Sequence, residues 1–147
     1  MRLTRYTDYA LRVLMYLAVK REGLATITEI AERYGVSRNH VMKVVFDLGQ
    51  MGYVETLRGK HGGMRLAHPP EEVNVGALVR RTESDLALVE CFTGEGGCPL
   101  TSQCVLRGAL HRALQQFLGV LDEYTLADLV TSERELQTLL RMDPEVD

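Results

Sequence analysis

The stretch TITEIAERYGVSRNHVMKVVFDLGQMG, residues 26–52, decides the fold. It holds two helical patterns separated by a turn too short for anything but a sharp change of direction. Thr28 is the expected N-cap of the first helix, Gly35 its stop and Ser37 the N-cap of the second. The second helix then gathers Val41, Val44, Val45 and Leu48 on one face. Arg38, Asn39, His40 and Lys43 are left toward its start and its other side. Gly52 closes it.

Working outward, TDYALRVLMYLAVK at 7–20 places Leu11, Leu14, Met15 and Ala18 on one helical face after a candidate Thr7 cap. Downstream, the strand-like runs 53–57 and 64–68 flank RGKHGG, whose paired glycines mark a hairpin with a basic tip. Helix, helix, turn, helix and hairpin is the order of a winged helix-turn-helix. The expected fold is therefore mainly α with a small β-hairpin, a winged helix-turn-helix followed by a long C-terminal dimerisation helix. Its parts divide at 1–70, the DNA-binding region, 71–100, a connecting helix and cysteine loop, and 101–147, the long helix and a last short one.

Asn74 can cap a helix over VGALVRRTE, and the long helix is expected to begin near Thr101 or Ser102, with Cys104 in its first turn. Its stripe of Leu106, Leu110, Ala113, Leu114, Phe117 and Leu121 is longer than a small winged domain can cover, which predicts a two-fold homodimer. Thr125 restarts a short helix in TLADLV, and the end MDPEVD is expected to be loose.

The charge is divided unevenly. Residues 1–68 carry eleven Lys and Arg against six Asp and Glu, whereas 69–147 carry six against fourteen, so the acidic total of −3 conceals a basic first half suited to a polyanion. The residues expected to meet double-stranded DNA are Thr28, Ser37, Arg38, Asn39, His40 and Lys43 in the helical pair, with Arg58, Lys60, His61 and Arg65 around the hairpin. Arg38 and Asn39 can reach base edges, and the wing cations can hold backbone or minor groove. No nucleophile with a base and an orienting group is evident, so catalysis is not expected. Nor is there an apolar run long enough for a membrane span or an export signal, and a reducing cytoplasm is the expected compartment.

All three cysteines fall in CFTGEGGCPLTSQC, residues 91–104. An odd number of thiols in a reducing compartment points to metal or redox chemistry rather than disulfides. Gly94, Gly96 and Gly97 allow the backbone to fold closely, and Pro99 stiffens the loop after Cys98. Cys91, Cys98 and Cys104 supply three ligands of a four-ligand site. His111, Asp85, Glu90, Glu95, solvent or another subunit are left as sources of the fourth, with His111 two helical turns past Cys104 and read as a surface residue. A zinc site or a thiol switch is the alternative.

Together, LTRYTDYALRVLMYLA, YGVSRNHVMKVV, GYVETLRGKHGGMRL, the cysteine loop and FLGVLDEYTLADLV resemble the winged-helix iron-sulfur transcription regulators, over most of the chain and in the family's order. Among its branches the chain is most similar to the nitric-oxide-responsive NsrR-like repressors. That resemblance implies a homodimeric repressor of a roughly palindromic operator, with crossing long helices and a cluster near the dimer interface. It also implies a [4Fe-4S] cluster on the three cysteines, with [2Fe-2S] as the alternative, and Asp8 of the partner subunit as fourth ligand. IscR-like relatives use a histidine three residues after the last cysteine, where this chain has Arg107; iron-responsive RirA-like relatives share the cysteine loop. Nitric oxide, attacking iron, would then relieve repression.

Overall fold

The computed structural model describes residues 1–20 and 22–142. Its elements are α1 (Arg5–Val19), α2 (Ile27–Tyr34), α3 (Arg38–Gln50), β1 (Val54–Leu57), β2 (Gly63–Leu66), α4 (Val75–Thr82), α5 (Val105–Asp122), α6 (Leu126–Leu129) and α7 (Glu133–Leu139). The mainly helical chain with one antiparallel hairpin matches the expected winged helix-turn-helix.

The amphipathic patterns converge on one core. Leu14, Tyr16, Ile30, Val41, Val44, Leu48, Met64 and Leu78 are buried there, bringing α1, α2, α3, the wing and α4 together. Sealing these side chains from water is the main force holding the domain. Tyr16, fully buried, still satisfies its hydroxyl by donating to Glu29 Oε1 at 2.7 Å.

Gly35 ends α2 in the left-handed conformation at φ 63, as the turn requires. Two caps differ from expectation. The N-cap of α2 is Thr26, not Thr28, because Glu29 at the third helical position completes a capping box with it. The N-cap of α1 is Thr4, not Thr7: Thr4 Oγ1 accepts from Thr7 N at 3.2 Å, while the Thr4 amide and hydroxyl donate to Glu83 Oε1 at 2.7 and 3.0 Å. Thr7 is instead buried, and its hydroxyl donates to Thr82 Oγ1 at 2.9 Å, fastening α1 to α4.

The hairpin pairs Val54 with Leu66 and Leu57 with Gly63. Ala25 adds one further rung, its amide donating to Met64 O at 3.0 Å and its carbonyl accepting from Met64 N at 2.8 Å. This close approach explains Gly63, where a Cβ would lie 2.7 Å from Ala25 O and 2.8 Å from Leu24 Cβ.

Asn74 caps α4 by accepting from Ala77 N at 2.9 Å, and Thr125 caps α6 within a capping box. Between them α5 starts later than expected. Thr101–Gln103 form a tight 3-10 turn, Cys104 is extended at φ −81 and ψ 108, and the helix begins at Val105. Leu114, Leu118 and Leu121 of α5 pack with Val75 and Val79 of α4 in a second, smaller core. Arg80 and Asp122 add a two-pronged ion pair between the same helices, with Nη2 to Oδ2 at 2.9 Å. The last helix, α7, was not foreseen from its pattern; Gln137 Nε2 donates to Val19 O at 3.1 Å and ties it to the end of α1. Of the end expected to be loose, Met142 packs partly on the main core, and 143–147 lie outside the described residues.

Candidate functional site

The face of α3 away from the core is built by spacing alone. With Val41, Val44, Val45 and Leu48 buried, Arg38, Asn39, His40 and Lys43 are all exposed, as the sequence predicts. Ser37 occupies the N-cap position, although its side chain makes no capping hydrogen bond and stays free to donate elsewhere. Thr28 is exposed in the first turn of α2. On the wing, Arg58, Lys60, His61 and Arg65 are exposed, and Arg65 Nε donates to Glu55 Oε2 at 3.0 Å across the hairpin. Asp47, the acid on α3, is tied to α1: its Oδ2 accepts from Tyr6 Oη at 2.6 Å. That acceptor, after burial, helps to raise the Tyr6 pKa well above the usual phenol range.

The candidate ligand Asp8 sits in the first turn of α1. Both of its oxygens meet Arg12, Oδ1 accepting from Nε at 3.0 Å and Oδ2 lying 2.9 Å from Nη2. Arg12 in turn lies over the rings of Tyr9 and Tyr34, 5.8 and 5.9 Å from their centroids. Tyr34 donates its hydroxyl to Arg12 O at 2.8 Å, and burial pushes its pKa up to about 12, so the donor stays protonated. Tyr9 also meets His40 of α3, ring centroids 6.0 Å apart. Tyr9 and Arg12 were not singled out from sequence, yet they are the contacts between Asp8 and the helix-turn-helix; the i, i+4 spacing of Asp8 and Arg12 was the legible signal.

The three thiols are free. Each is placed by a tight local turn. Cys91 lies in the 3-10 turn Glu90–Phe92, Cys98 precedes the turn that Thr101 closes by donating its hydroxyl to Cys98 O at 2.8 Å, and Cys104 caps α5. Gly94 takes φ 79, a conformation costly for other residues, and Gly96 brings the loop back over Cys91, within 3.5 Å of its Cα from the position a Cβ would take. Cys104 Sγ accepts from Arg107 N at 3.3 Å, so the thiol expected inside the first turn instead caps the helix N-terminus.

Cys104, Arg107, His111, Asp85 and Phe92 line an open cleft of about 970 Å³. His111 is exposed and packs edge-on against Phe92, centroids 6.0 Å apart, and Asp85 accepts from Ala87 N at 2.7 Å. Among the described residues no three His, Cys, Asp or Glu side chains converge on a point that could hold a metal ion. Three unpaired thiols are nevertheless the soft donor set that iron-sulfur clusters take, so the residue chemistry fits while the single chain does not preassemble it. No helix among the described residues is long and apolar enough to cross a membrane.

A family model described as Rrf2, an iron-dependent transcriptional regulator, matches residues 3–132. The chain is 50% identical over 146 residues to the HTH-type transcriptional regulator NsrR of Halalkalibacterium halodurans, covering 98% of this chain and 100% of that one. It is 51% identical over 144 residues to the HTH-type transcriptional regulator NsrR of Bacillus subtilis, covering 97% and 99%. Among solved structures it resembles T. potens IscR with a TM-score of 0.74 at 26% identity, covering 93% of this chain and 91% of that one.

Proposed function

Because the chain belongs to the Rrf2 family, which consists of transcriptional regulators and not enzymes, we propose that it is a DNA-binding repressor whose operator affinity follows the state of an iron-sulfur cluster that senses nitric oxide. The observation that carries the DNA half of this reading is the exposed α3 face, with Arg38, Asn39 and Lys43 standing beside a wing bearing Arg58 and Lys60. Phosphate contacts from the wing set affinity, and the α3 side chains read base edges.

The working form is a homodimer in a cytoplasm. Its support is the stripe on α5: beyond the turns that pack on α4, Leu106 is 65% exposed and Val105 85%, apolar surface that a second copy would cover. Two α3 helices would then address half-sites about one helical turn of DNA apart.

Cys91, Cys98 and Cys104 would hold the cluster, of the [4Fe-4S] type with [2Fe-2S] as the alternative, and Asp8 of the partner subunit would supply the oxygen ligand. When bound, the cluster supplies iron that reacts with nitric oxide. Asp8 couples the two halves of the protein: a carboxylate drawn away from Arg12 loosens the stack of Arg12 on Tyr9, and Tyr9 touches His40 at the start of α3. A coupling of about 1–3 kcal/mol suffices for a 5- to 150-fold change in affinity. An iron- or redox-responsive regulator, or a zinc or thiol switch, is the other reading, and the amide facing Cys104 Sγ is compatible with it.

Iron and zinc analysis of anaerobically purified protein, followed by operator titration before and after nitric oxide, is the test. Stoichiometric iron with tight binding lost on nitric oxide supports the proposal. Stoichiometric zinc, or equal binding by cluster-loaded, cluster-free and nitrosylated protein, overturns it.

A further inference from the structure

The polar face of α3 contains two apolar intruders. Met42 is 45% exposed and Phe46 66% exposed, side chains that burial in the domain core does not claim. Phe46 falls with Asn39, Lys43 and Gln50 on one stripe at i, i+4, i+7 and i+11, opposite the buried Val41, Val44 and Leu48. Met42 lies four residues before Phe46, on the Arg38 side of that stripe. The two therefore make one ridge, flanked by Arg38 and Lys43.

We infer that Met42 and Phe46 read thymine 5-methyl groups in the major groove, giving the operator a preference for T·A pairs at the positions the ridge meets, through the methyl and not through hydrogen bonds. This rests on the DNA-binding reading above. The occupant is argued from charge: Arg38 and Lys43 flank the ridge, Arg58 and Lys60 face outward from the wing, and Asp47 is held by Tyr6. An apolar protein partner would have to cover these cations, whereas a duplex satisfies cations and ridge together, phosphates with the first and methyls with the second. The reach also matches. From Asn39 to Phe46 is seven residues, about 10 Å along the axis, or about three base steps. In the major groove the 5-methyl of thymine is the apolar mark on an otherwise polar base edge, and it pairs with side chains of this kind.

The test begins with the full-length protein, prepared anaerobically, selecting binding sites from a random-sequence duplex library. Each thymine of the selected site is then replaced by deoxyuracil, which removes only the methyl. Loss of one methyl in contact with the ridge should weaken the unsubstituted protein about fourfold, the value of one buried carbon group. Met42→Ala and Phe46→Ala should abolish that dependence at separate base pairs while leaving the salt dependence unchanged, and Phe46→Leu should restore part of it. The inference is overturned if the deoxyuracil penalty is the same in the variants as in the unsubstituted protein, or if Phe46→Ala alters the oligomeric state at unchanged DNA selectivity. Should the unsubstituted protein select no sequence at all, the DNA-binding reading itself fails, a result distinct from either.

Discussion

Asp8 and Arg12 engage each other through two contacts across one turn of α1, Nε to Oδ1 at 3.0 Å and Nη2 to Oδ2 at 2.9 Å. The side chains are 48% and 42% exposed, so water competes and the pair holds Asp8 only lightly. A carboxylate held this way can change partner at small cost. In metal-free protein, a double-mutant cycle on Asp8→Ala and Arg12→Ala should give a coupling of about 0.3–0.5 kcal/mol by chemical denaturation. In anaerobic iron-loaded protein, Asp8→Ala should change the visible spectrum and the nitric-oxide response; an unchanged spectrum and response would remove Asp8 from the ligand set.

Arg12 serves more than Asp8. Its place over Tyr9 and Tyr34 joins α1 to α2 and, through the Tyr9–His40 contact, to α3. Arg12→Ala should therefore cost about 1–2 kcal/mol from two lost cation–π contacts, more than Asp8→Ala. Arg12→Lys should recover little, because a point charge cannot lie flat on two rings. Urea denaturation of the three variants checks the ranking.

Gly63 is a packing glycine, and its neighbours are the Ala25 backbone and Leu24 Cβ, neither of them the far end of a flexible side chain. Adding a methyl there drives Ala25 away from β2 and breaks the rung to Met64. Gly63→Ala should destabilise by about 1–3 kcal/mol. Gly97→Ala, in the cysteine loop with nothing within 4 Å of the added carbon, should leave thermal stability near that of the parent. Differential melting of the two variants provides the comparison.

What the sequence made legible was what short-range chemistry controls. Gly35, Asn74 and Thr125 end or begin helices through contacts within three or four residues, so their pattern could be read directly. The Thr4 cap is local too, its Oγ1 accepting from Thr7 N, but the choice of Thr4 over Thr7 is helped by residues far off: Glu83, 79 residues away, takes the Thr4 donors, and Thr82 pairs with the Thr7 hydroxyl. The capping box of Thr26 with Glu29 was legible, but Thr28 in the same TIT run competed with it. The α7 helix rests on a hydrogen bond to Val19, 118 residues away, for which no local pattern exists. Cys104 is expected inside the first turn of α5 because Thr101 and Ser102 look like caps, whereas the 3-10 turn Thr101–Gln103 delays the helix to Val105 and leaves Cys104 as its N-cap. Convergence of the thiols is a matter for more than one local turn, and neither the spacing nor the single chain fixes it.

The wing cations should act on affinity without regard to sequence. Lys60→Ala should weaken binding to all duplexes alike and reduce the slope of log affinity against log salt by about 0.9 if it neutralises one phosphate. Asn39→Ala, on α3, should relax selectivity by about 1–3 kcal/mol at one base pair and leave the salt slope unchanged. Titrations at several salt concentrations separate the two behaviours; identical slopes for Lys60→Ala and parent would place the wing off the DNA.

Glu29 links the core to acid stability. Burial raises its pKa, but hydrogen bonds from Lys20 at 2.6 Å, from the buried Tyr16 at 2.7 Å and from the Thr26 amide at 3.2 Å outweigh that, and the net direction is down. A carboxyl whose folded pKa lies below its unfolded value of 4.5 contributes stability above that value and loses it as pH falls through the folded pKa. Glu29→Gln should therefore cost about 1–2 kcal/mol at pH 7, the scale of a charge-assisted hydrogen bond. The cost should begin to shrink as the pH falls below 4.5 and approach zero only below the folded pKa, where the folded parent carries a neutral carboxyl too. Tyr16→Phe should remove part of the same pH dependence, since the phenol is one of the donors that holds the carboxylate ionised. Urea denaturation at pH 7 and in the acid range distinguishes the cases: a deficit of Glu29→Gln that stays constant with pH would mean that packing, not charge, is what Glu29 contributes.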